Sequence, residues 1–420
     1  MKRPAAMRKA LAEIAMRTAS ISGLESISLR NIARQAECST AVIFQNFDGK
    51  ASLLLGAAEL AEKREADHHR HLLEQMDGLV TCHLAFSDFL GTYIDSRVLS
   101  PEARFLSEVL IKQSGDLAFR SILTRWHAER VSFWQAVLAA FDFGERVGQL
   151  VSEYCLMEEI YAYTLNDYPR YQLLQKDSVR ALTDACFHRG AASGTSNGIN
   201  RQLGWRAFEA RRRSEVSRAK MPAEMLEHAV EMITRDGMGS LNQRSLAQKA
   251  GVSPSMIAYH FNDMKSFTNE AVWQALVSEL PGEFDPDMIV SLPKSLPEWV
   301  DFLYNTLLTA PADAHSGFYV SYSRMTGEAA LLACNDRSLV PLMMYLREID
   351  GWGTYRLSRN IPAIAEFSSH EHAAAFAVWI KAEALLHHSG LVDPAAGGER
   401  LQVAVSLIFP HTSLTGGLTD

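Results

Sequence analysis

Two stretches of this chain are copies of one another: Leu11–Phe47, LAEIAMRTASISGLESISLRNIARQAECSTAVIFQNF, and Met225–Phe261, MLEHAVEMITRDGMGSLNQRSLAQKAGVSPSMIAYHF. They align without a gap at an offset of 214 residues. Ten of the 37 pairs are identical: Glu13/Glu227, Ala15/Ala229, Gly23/Gly237, Ser26/Ser240, Arg30/Arg244, Ala33/Ala247, Ala36/Ala250, Ser39/Ser253, Ile43/Ile257 and Phe47/Phe261. Average residue usage would give roughly two. The offset is about half the 420-residue length, so the chain reads as two concatenated copies of one unit of ~200 residues.

Each copy reads as three short helices. Leu11, Ile14, Ala15, Thr18 and Ala19 recur at helical spacing, as do Met225, Ala229, Met232 and Ile233, which predicts first helices over Pro4–Ser22 and Pro222–Asp236. Gly23 and Gly237 follow where a helix-terminating glycine belongs. Ser28 and Asn242 are N-caps for second helices, Ser28–Gln35 and Asn242–Lys249. After the turns Ala36-Glu37-Cys38 and Ala250-Gly251-Val252, Ser39 and Ser253 cap third helices ending near Phe47 and Phe261. A short helix, a tight turn and a capped second helix make a helix-turn-helix. Ile32, Val42, Ile43 and Phe47, with Leu246, Ile257 and Phe261, are the expected head core.

Composition agrees with a soluble globular chain: 47% apolar, 21% charged, mean hydropathy near zero. No run approaches the roughly 18 apolar residues of a membrane span. Five scattered cysteines without a C-x-x-C predict reduced thiols in a cytoplasm. Net charge is −8, yet residues 1–55 carry eight Lys/Arg against four Asp/Glu and residues 201–270 eleven against eight. Two basic islands in an acidic body coincide with the repeated motif.

The strings Ser28-Leu29-Arg30-Asn31-Ile32-Ala33 … Ser39-Thr40-Ala41-Val42-Ile43-Phe44-Gln45-Asn46-Phe47-x-x-Lys50 and Arg244-Ser245-Leu246-Ala247 … Gly251-Val252-Ser253 … Ile257 … His260-Phe261 resemble the DNA-binding head of the tetracycline-repressor (TetR) family. The resemblance covers about 50 residues in each half and implies an all-α protein, each head backed by a helical ligand-binding body. It therefore predicts two TetR-like units forming an intramolecular pseudo-dimer and leaves a further homodimer open. The boundaries are a first head at 1–55, a first body at 56–190, a flexible then basic linker at 191–220, a second head at 221–270 and a second body at 271–420. Three positions depart from the family pattern. The turn glycine, present as Gly251, is Glu37 in the first copy, which demands a left-handed Glu37 or another turn geometry. The family's recognition-helix tyrosine is Phe44 and Ala258, with Tyr259 one position on. Lys50 keeps the family's spacing, whereas Lys265 lies one residue late. Each departure lowers the affinity expected of a head, and one head could be silent.

The resemblance places the third helix in a major groove. Base-edge candidates are Thr40, Ala41, Gln45 and Asn46 in copy one and Pro254, Ser255, Tyr259 and His260 in copy two; Gln45 suits adenine and Ala41 a thymine methyl. Arg30, Arg34, Lys50, Arg244, Lys249 and Lys265 are candidate phosphate contacts. Gly190–Asn200 reads as a flexible linker. Arg201–Lys220 after it, with Arg211, Arg212 and Arg213, reads either as an arm gripping phosphates or as a solvated helix leading into the second head. In the bodies, Gly148–Asp167 with Arg170–Arg189 and His370–Ser389 with Glu399–Phe409 each read as a closing helix pair, which the family uses in a four-helix bundle between subunits. Trp126, Trp134, Tyr161, Trp299, Tyr322 and Trp379 either line an effector pocket or fill the core.

No phosphate loop, G-x-S-x-G or H-E-x-x-H is present, so catalysis is not expected and no cofactor or metal is called for. His68, His69 and His71 cluster on a charged helix but lack the companions of a tetrahedral site. The expected partners are double-stranded operator DNA and a small hydrophobic or aromatic effector, with no membrane. The competing expectation is a protein-interaction or anti-repressor module with degenerate heads.

Overall fold

The computed structural model describes residues 4–76, 82–139, 141, 144–187, 198–214, 220–277, 293–307, 317–366 and 368–409, and the regular elements among them are all helical. Copy one begins α1 (Pro4–Ser22), α2 (Leu29–Gln35) and α3 (Thr40–Phe44), followed by α4 (Lys50–Gln75), α5 (His83–Val98), α6 (Pro101–Gln113), α7 (Leu117–Ala139), α8 (Glu145–Leu165) and α9 (Pro169–Cys186). A connecting helix, α10 (Ile199–Ser214), leads to copy two. There the order repeats as α11 (Lys220–Asp236), α12 (Gln243–Ala250), α13 (Pro254–Phe261), α14 (Met264–Val277), α15 (Leu296–Leu307) and α16 (Phe318–Asn335), then α17 (Val340–Glu348), α18 (Trp352–Arg359), α19 (His370–Ser389) and α20 (Gly397–Ile408). The position of α7 in copy one is taken in copy two by α17 and α18. No helix among the described residues is long and apolar enough to cross a membrane.

Local chemistry sets the head elements. Ser28 Oγ accepts from Asn31 N at 3.2 Å and Asn242 Oδ1 from Ser245 N at 2.9 Å, satisfying one orphan amide of α2 and of α12. Both helices end alike: Cys38 N donates to Ala33 O and Val252 N to Ala247 O, each at 3.0 Å. That closure needs one left-handed residue, which is Glu37 (φ 51°) in copy one and Gly251 (φ 65°) in copy two. Leu11, Ala15, Ala19, Ile32, Ile43 and Phe47 are buried, as are Met225, Ala229, Ile233, Leu246, Ile257 and Phe261. Val42, expected in the core, is only half-buried.

The copies also join head to body in the same way. Gly23 (φ 85°) and Gly237 (φ 84°) turn the chain into one-turn 3-10 segments, Leu24–Ser26 and Met238–Ser240. A buried carboxylate reaches each segment. Glu108 of α6 accepts from Leu24 N at 2.8 Å, and Glu328 of α16 accepts from Met238 N at 2.5 Å. A Cβ on either glycine would stand only 3.3 or 3.0 Å from that carboxylate, so φ and space both favour glycine. Neighbouring cations complete the joints: Lys112 Nζ lies 3.2 Å from Glu108, and Arg324 lies 2.8 Å from Glu328 while donating to Thr234 O at 2.6 Å.

The described residues divide into two compact units, one made of those up to Tyr163 with Leu385–Ala396, the other of those in Thr164–Ala384 with residues 397–409. In the first, α4 packs on α1, α6 and α7. In the second, α11 packs on α14, α15 on α16 and α20, and α9 on α10, α17 and α20. The boundaries thus fall inside α8 and α19 and not in the glycine-rich linker, whose residues 190–197 lie outside the described ones. The reason is the apolar face of α9 (Tyr171, Leu174, Val179 and Leu182), which finds its cover on helices of copy two. Arg347 Nη2 donates to Ser178 Oγ at 2.9 Å and Arg170 pairs with Glu348, fixing α9 there.

The Glu328 joint is a measurable stabiliser. Glu328→Ala strands the buried Met238 amide and is expected to cost about 1–3 kcal/mol in chemical denaturation, whereas Glu328→Gln keeps an acceptor and should cost clearly less.

Candidate nucleic-acid interface

The third helices of the two heads are held by buried Ile43 in α3 and by buried Ile257 and Phe261 in α13. Ala41, Phe44 and Gln45 are exposed on α3, and Thr40 is half-buried. Regular helix ends at Phe44, three residues short of the end predicted from sequence. Gln45–Phe47 continue as tight turns, with Gln45 N on Ala41 O at 3.0 Å and Asn46 N on Ile43 O at 2.9 Å. Arg8 of α1 meets the segment just beyond this end: its guanidinium donates to Asn46 O and lies 4.3 Å from the Phe47 ring centroid. Asn46 is half-buried, and its amide donates to Val42 O at 2.8 Å, so its polar group already has an internal partner.

In copy two Pro254, Ser255 and Tyr259 are exposed, and His260 is half-buried, edge-on to Tyr259 at 4.9 Å. Neither Ser39 nor Ser253 accepts a capping hydrogen bond through its side chain, contrary to the sequence expectation; Ser253 Oγ pairs instead with Ser255 Oγ at 2.8 Å. With proline at the first position of α13, the loss of a cap costs little, since one orphan amide is missing.

The six head cations separate into two groups. Arg30, Lys50 and Arg244 are exposed and pair with none of the described residues. Arg34 donates to Asn31 Oδ1 at 2.8 Å, Lys249 lies 2.8 Å from Glu231, and Lys265 lies 3.1 Å from Asp336. The hydrogen bond from Lys249 holds the Glu231 carboxyl below its ordinary range. The α10 backbone carries Arg201–Ser214 as a helix; the side chains of Arg211, Arg212 and Arg213 lie outside the described ones.

Sequence reasoning underrated Phe44. It entered only as a departure from tyrosine, yet 58% of it faces solvent beside Ala41 and Gln45, and Tyr259 is 79% exposed. Single exposed apolar side chains occur elsewhere in the chain too, at Leu84, Leu99 and Leu117, so the two rings mark the outward faces of the third helices without showing what they meet. The readable signal was the helical phase: one residue after a buried isoleucine points about 100° away from the core.

The aromatic candidates of the bodies are all buried. Trp126 and Trp134 border a buried polar cluster sequence reading did not anticipate. Arg130 is paired with Glu159 at 2.8 Å and lies 5.3 Å from the Trp126 ring. His69 hydrogen-bonds Tyr93 Oη at 3.0 Å and stacks on Phe133 at 4.3 Å, while Tyr93 sits edge-on to Trp134 at 4.8 Å. Glu65 pairs with Arg97 nearby. Burial pushes the His69 imidazole well down, with Arg130 acting in the same direction, so it is neutral at pH 7. His71, by contrast, is exposed and approaches Gln75. Tyr161 is fully buried in the same unit. In the second unit, Trp299 and Trp379 meet through Phe376, at 5.7 and 5.4 Å, and Tyr322 stacks on Phe318 with Lys381 Nζ 5.0 Å from its ring. No family model matches this chain, and no curated protein matches it significantly.

The turns before the third helices carry opposite expectations. Nothing lies within 4 Å of a Cβ built on Gly251, so Gly251→Ala tests backbone strain alone and should cost about 1 kcal/mol in urea denaturation. Glu37→Gly relieves the same strain and should leave the protein as stable or stabler, the gain being reduced by the entropy of a freer unfolded glycine.

Proposed function

We propose that this chain is a DNA-binding transcriptional regulator, a repressor by default, that carries two unlike helix-turn-helix heads on one polypeptide and is released by a small hydrophobic or aromatic effector. One observation carries the reading. Two heads of the same backbone geometry each expose a third helix and, at the same place in the second, an arginine with no partner among the described residues, Arg30 and Arg244. Exposed arginines beside an exposed helix suit phosphate contacts that position the helix over base edges. The resemblance of both heads to the tetracycline-repressor family points the same way. The packing of α9 against α17 and α20 supports a pseudo-dimer in which the closing helices of both copies come from one chain.

A second reading has its own observation. Lys249 and Lys265 are engaged by Glu231 and Asp336, and Tyr259 is 79% exposed, the most of the second head's large hydrophobic side chains. A head of that kind suits a protein partner. The two readings differ in salt dependence. Binding of the purified chain to fragments of its own promoter region should weaken steeply with salt, and Arg30→Ala with Arg244→Ala should lower affinity and reduce the log–log salt slope by roughly 1.8, two phosphate contacts. Unchanged affinity and slope would make these arginines ordinary surface residues and favour the protein-partner reading.

The operator follows from the side chains. Thr40, Ala41 and Gln45 offer donors and a methyl contact unlike those of Pro254, Ser255 and Tyr259, so footprinting should reveal two dissimilar half-sites. Replacing residues 40–46 with the corresponding residues 254–260 should shift preference toward a symmetric site. A perfect palindrome protected equally on both arms by the wild type would contradict this.

A further inference from the structure

The second unit contains a groove of about 730 Å³ that the repeated architecture does not account for. Its walls are Gly198, Arg201, Gln202 and Trp205 from the start of α10, Trp352 and Tyr355 from α18, and His370 at the start of α19. Copy one lacks the α18 wall, because its α7 is one continuous helix where copy two breaks between α17 and α18. The α18 wall is therefore particular to the second copy.

Its construction is aromatic and close-fitting. Tyr355 and His370 stack with centroids 3.8 Å apart, Trp352 lies 4.7 Å from His370, and Trp205 approaches Trp352 at 6.2 Å. Gly204 makes this possible: a Cβ there would stand 1.7 Å from Trp352 Nε1, so only glycine lets the indole lie against α10. Trp205 remains 45% exposed at the rim. An aromatic side chain left half in water above an open groove offers a face for stacking.

The electrostatics select among flat ligands. Arg201 precedes Trp205 by one helical turn and therefore shares its face of α10. It is exposed and pairs with none of the described residues. Burial pushes the His370 imidazole down to about 4, opposed by Glu371 and reinforced by Arg201, so His370 contributes a neutral ring at pH 7. Arg201 is then the one charged group among the described lining residues, with Gln202 beside it as a neutral donor and acceptor. Glu371 acts on the His370 end from outside the lining, so the positive charge lies at the Arg201 end, where an anionic group would be matched.

We infer that this groove binds a planar aromatic carboxylate, its ring system stacked among Trp205, Trp352 and Tyr355 and its carboxylate held by the Arg201 guanidinium. The volume suits a two- or three-ring molecule. A carboxylate matches the planar fork of arginine through two parallel hydrogen bonds. Because α10 leads through the basic segment to α11 of the second head, occupancy of the groove lies on the path to that head, and calling the ligand an effector rests on the regulator reading above.

Tryptophan fluorescence of the full chain, titrated with 2-naphthoate, 2-naphthamide and 2-naphthylmethylammonium, tests the inference. Saturable quenching is expected with naphthoate, weaker binding with the amide, and none with the ammonium. Arg201→Met should weaken naphthoate by about tenfold to a hundredfold and abolish its advantage over the amide. Trp205→Ala should weaken both. Both side chains are exposed, so these variants should fold, and circular dichroism checks that they do. Absence of saturable naphthoate binding, equal binding of the ammonium, or an Arg201→Met variant with undiminished affinity would overturn the inference. The titration needs no DNA: its failure removes the groove alone, and failure of salt-dependent DNA binding removes the regulator alone.

Discussion

A carboxylate buried against a backbone amide is the constraint on which the placement of each head depends. Glu108 and Glu328 lie inside the protein, where an ionised group without partners would be very costly. Each is satisfied by the amide that follows a turn glycine, Leu24 N or Met238 N, and by a neighbouring cation, Lys112 or Arg324. Neither partner is optional, because removing one leaves the other buried and unmatched. Arg324 adds the carbonyl of Thr234, at the negative end of the α11 dipole. α6 and α16 are thereby tied to the segment that follows the first helix of each head.

Around that shared joint the copies have diverged in their interiors. The first body buries ion pairs, Arg130 with Glu159 and Glu65 with Arg97, among Trp126, Trp134 and His69. The second buries Lys381 with Asp350 near Tyr322 and packs Trp299, Phe376 and Trp379 as an apolar cluster. Breaking α7 into two helices in copy two gives the second body the α18 wall of a groove. The two repeated segments thus keep the same joint while the helices behind them enclose different chemistry.

The docking of α9 has a further consequence. Tyr171, Leu174, Val179 and Leu182 are buried on a helix that packs on α10, α17 and α20, with Ser178 held by Arg347. Cutting the chain at the glycine-rich linker would uncover that face, so the two copies are not independent pieces even though their heads repeat. Cover for an amphipathic helix is decided by apolar area, which does not respect the order of segments along the chain.

What the sequence determined by itself is local. Helical periodicity, the Ser28 and Asn242 caps, the glycine turns and the repeat at 214 residues all act within a few positions, and they located the head helices and the closing helices of both bodies to within a few residues. The left-handed turn at Glu37 was legible for the same reason, since the partner copy has glycine there. Tertiary structure alone decided the rest. Arg8 engages Asn46 O just beyond α3 and Val42 O occupies the Asn46 amide; Glu231 and Asp336 engage two of the expected phosphate ligands; the six aromatic candidates are interior; and the groove gathers residues from 198 to 370. Each of these depends on side chains far apart in sequence, whose meeting follows from how whole helices pack and not from any pattern within one of them.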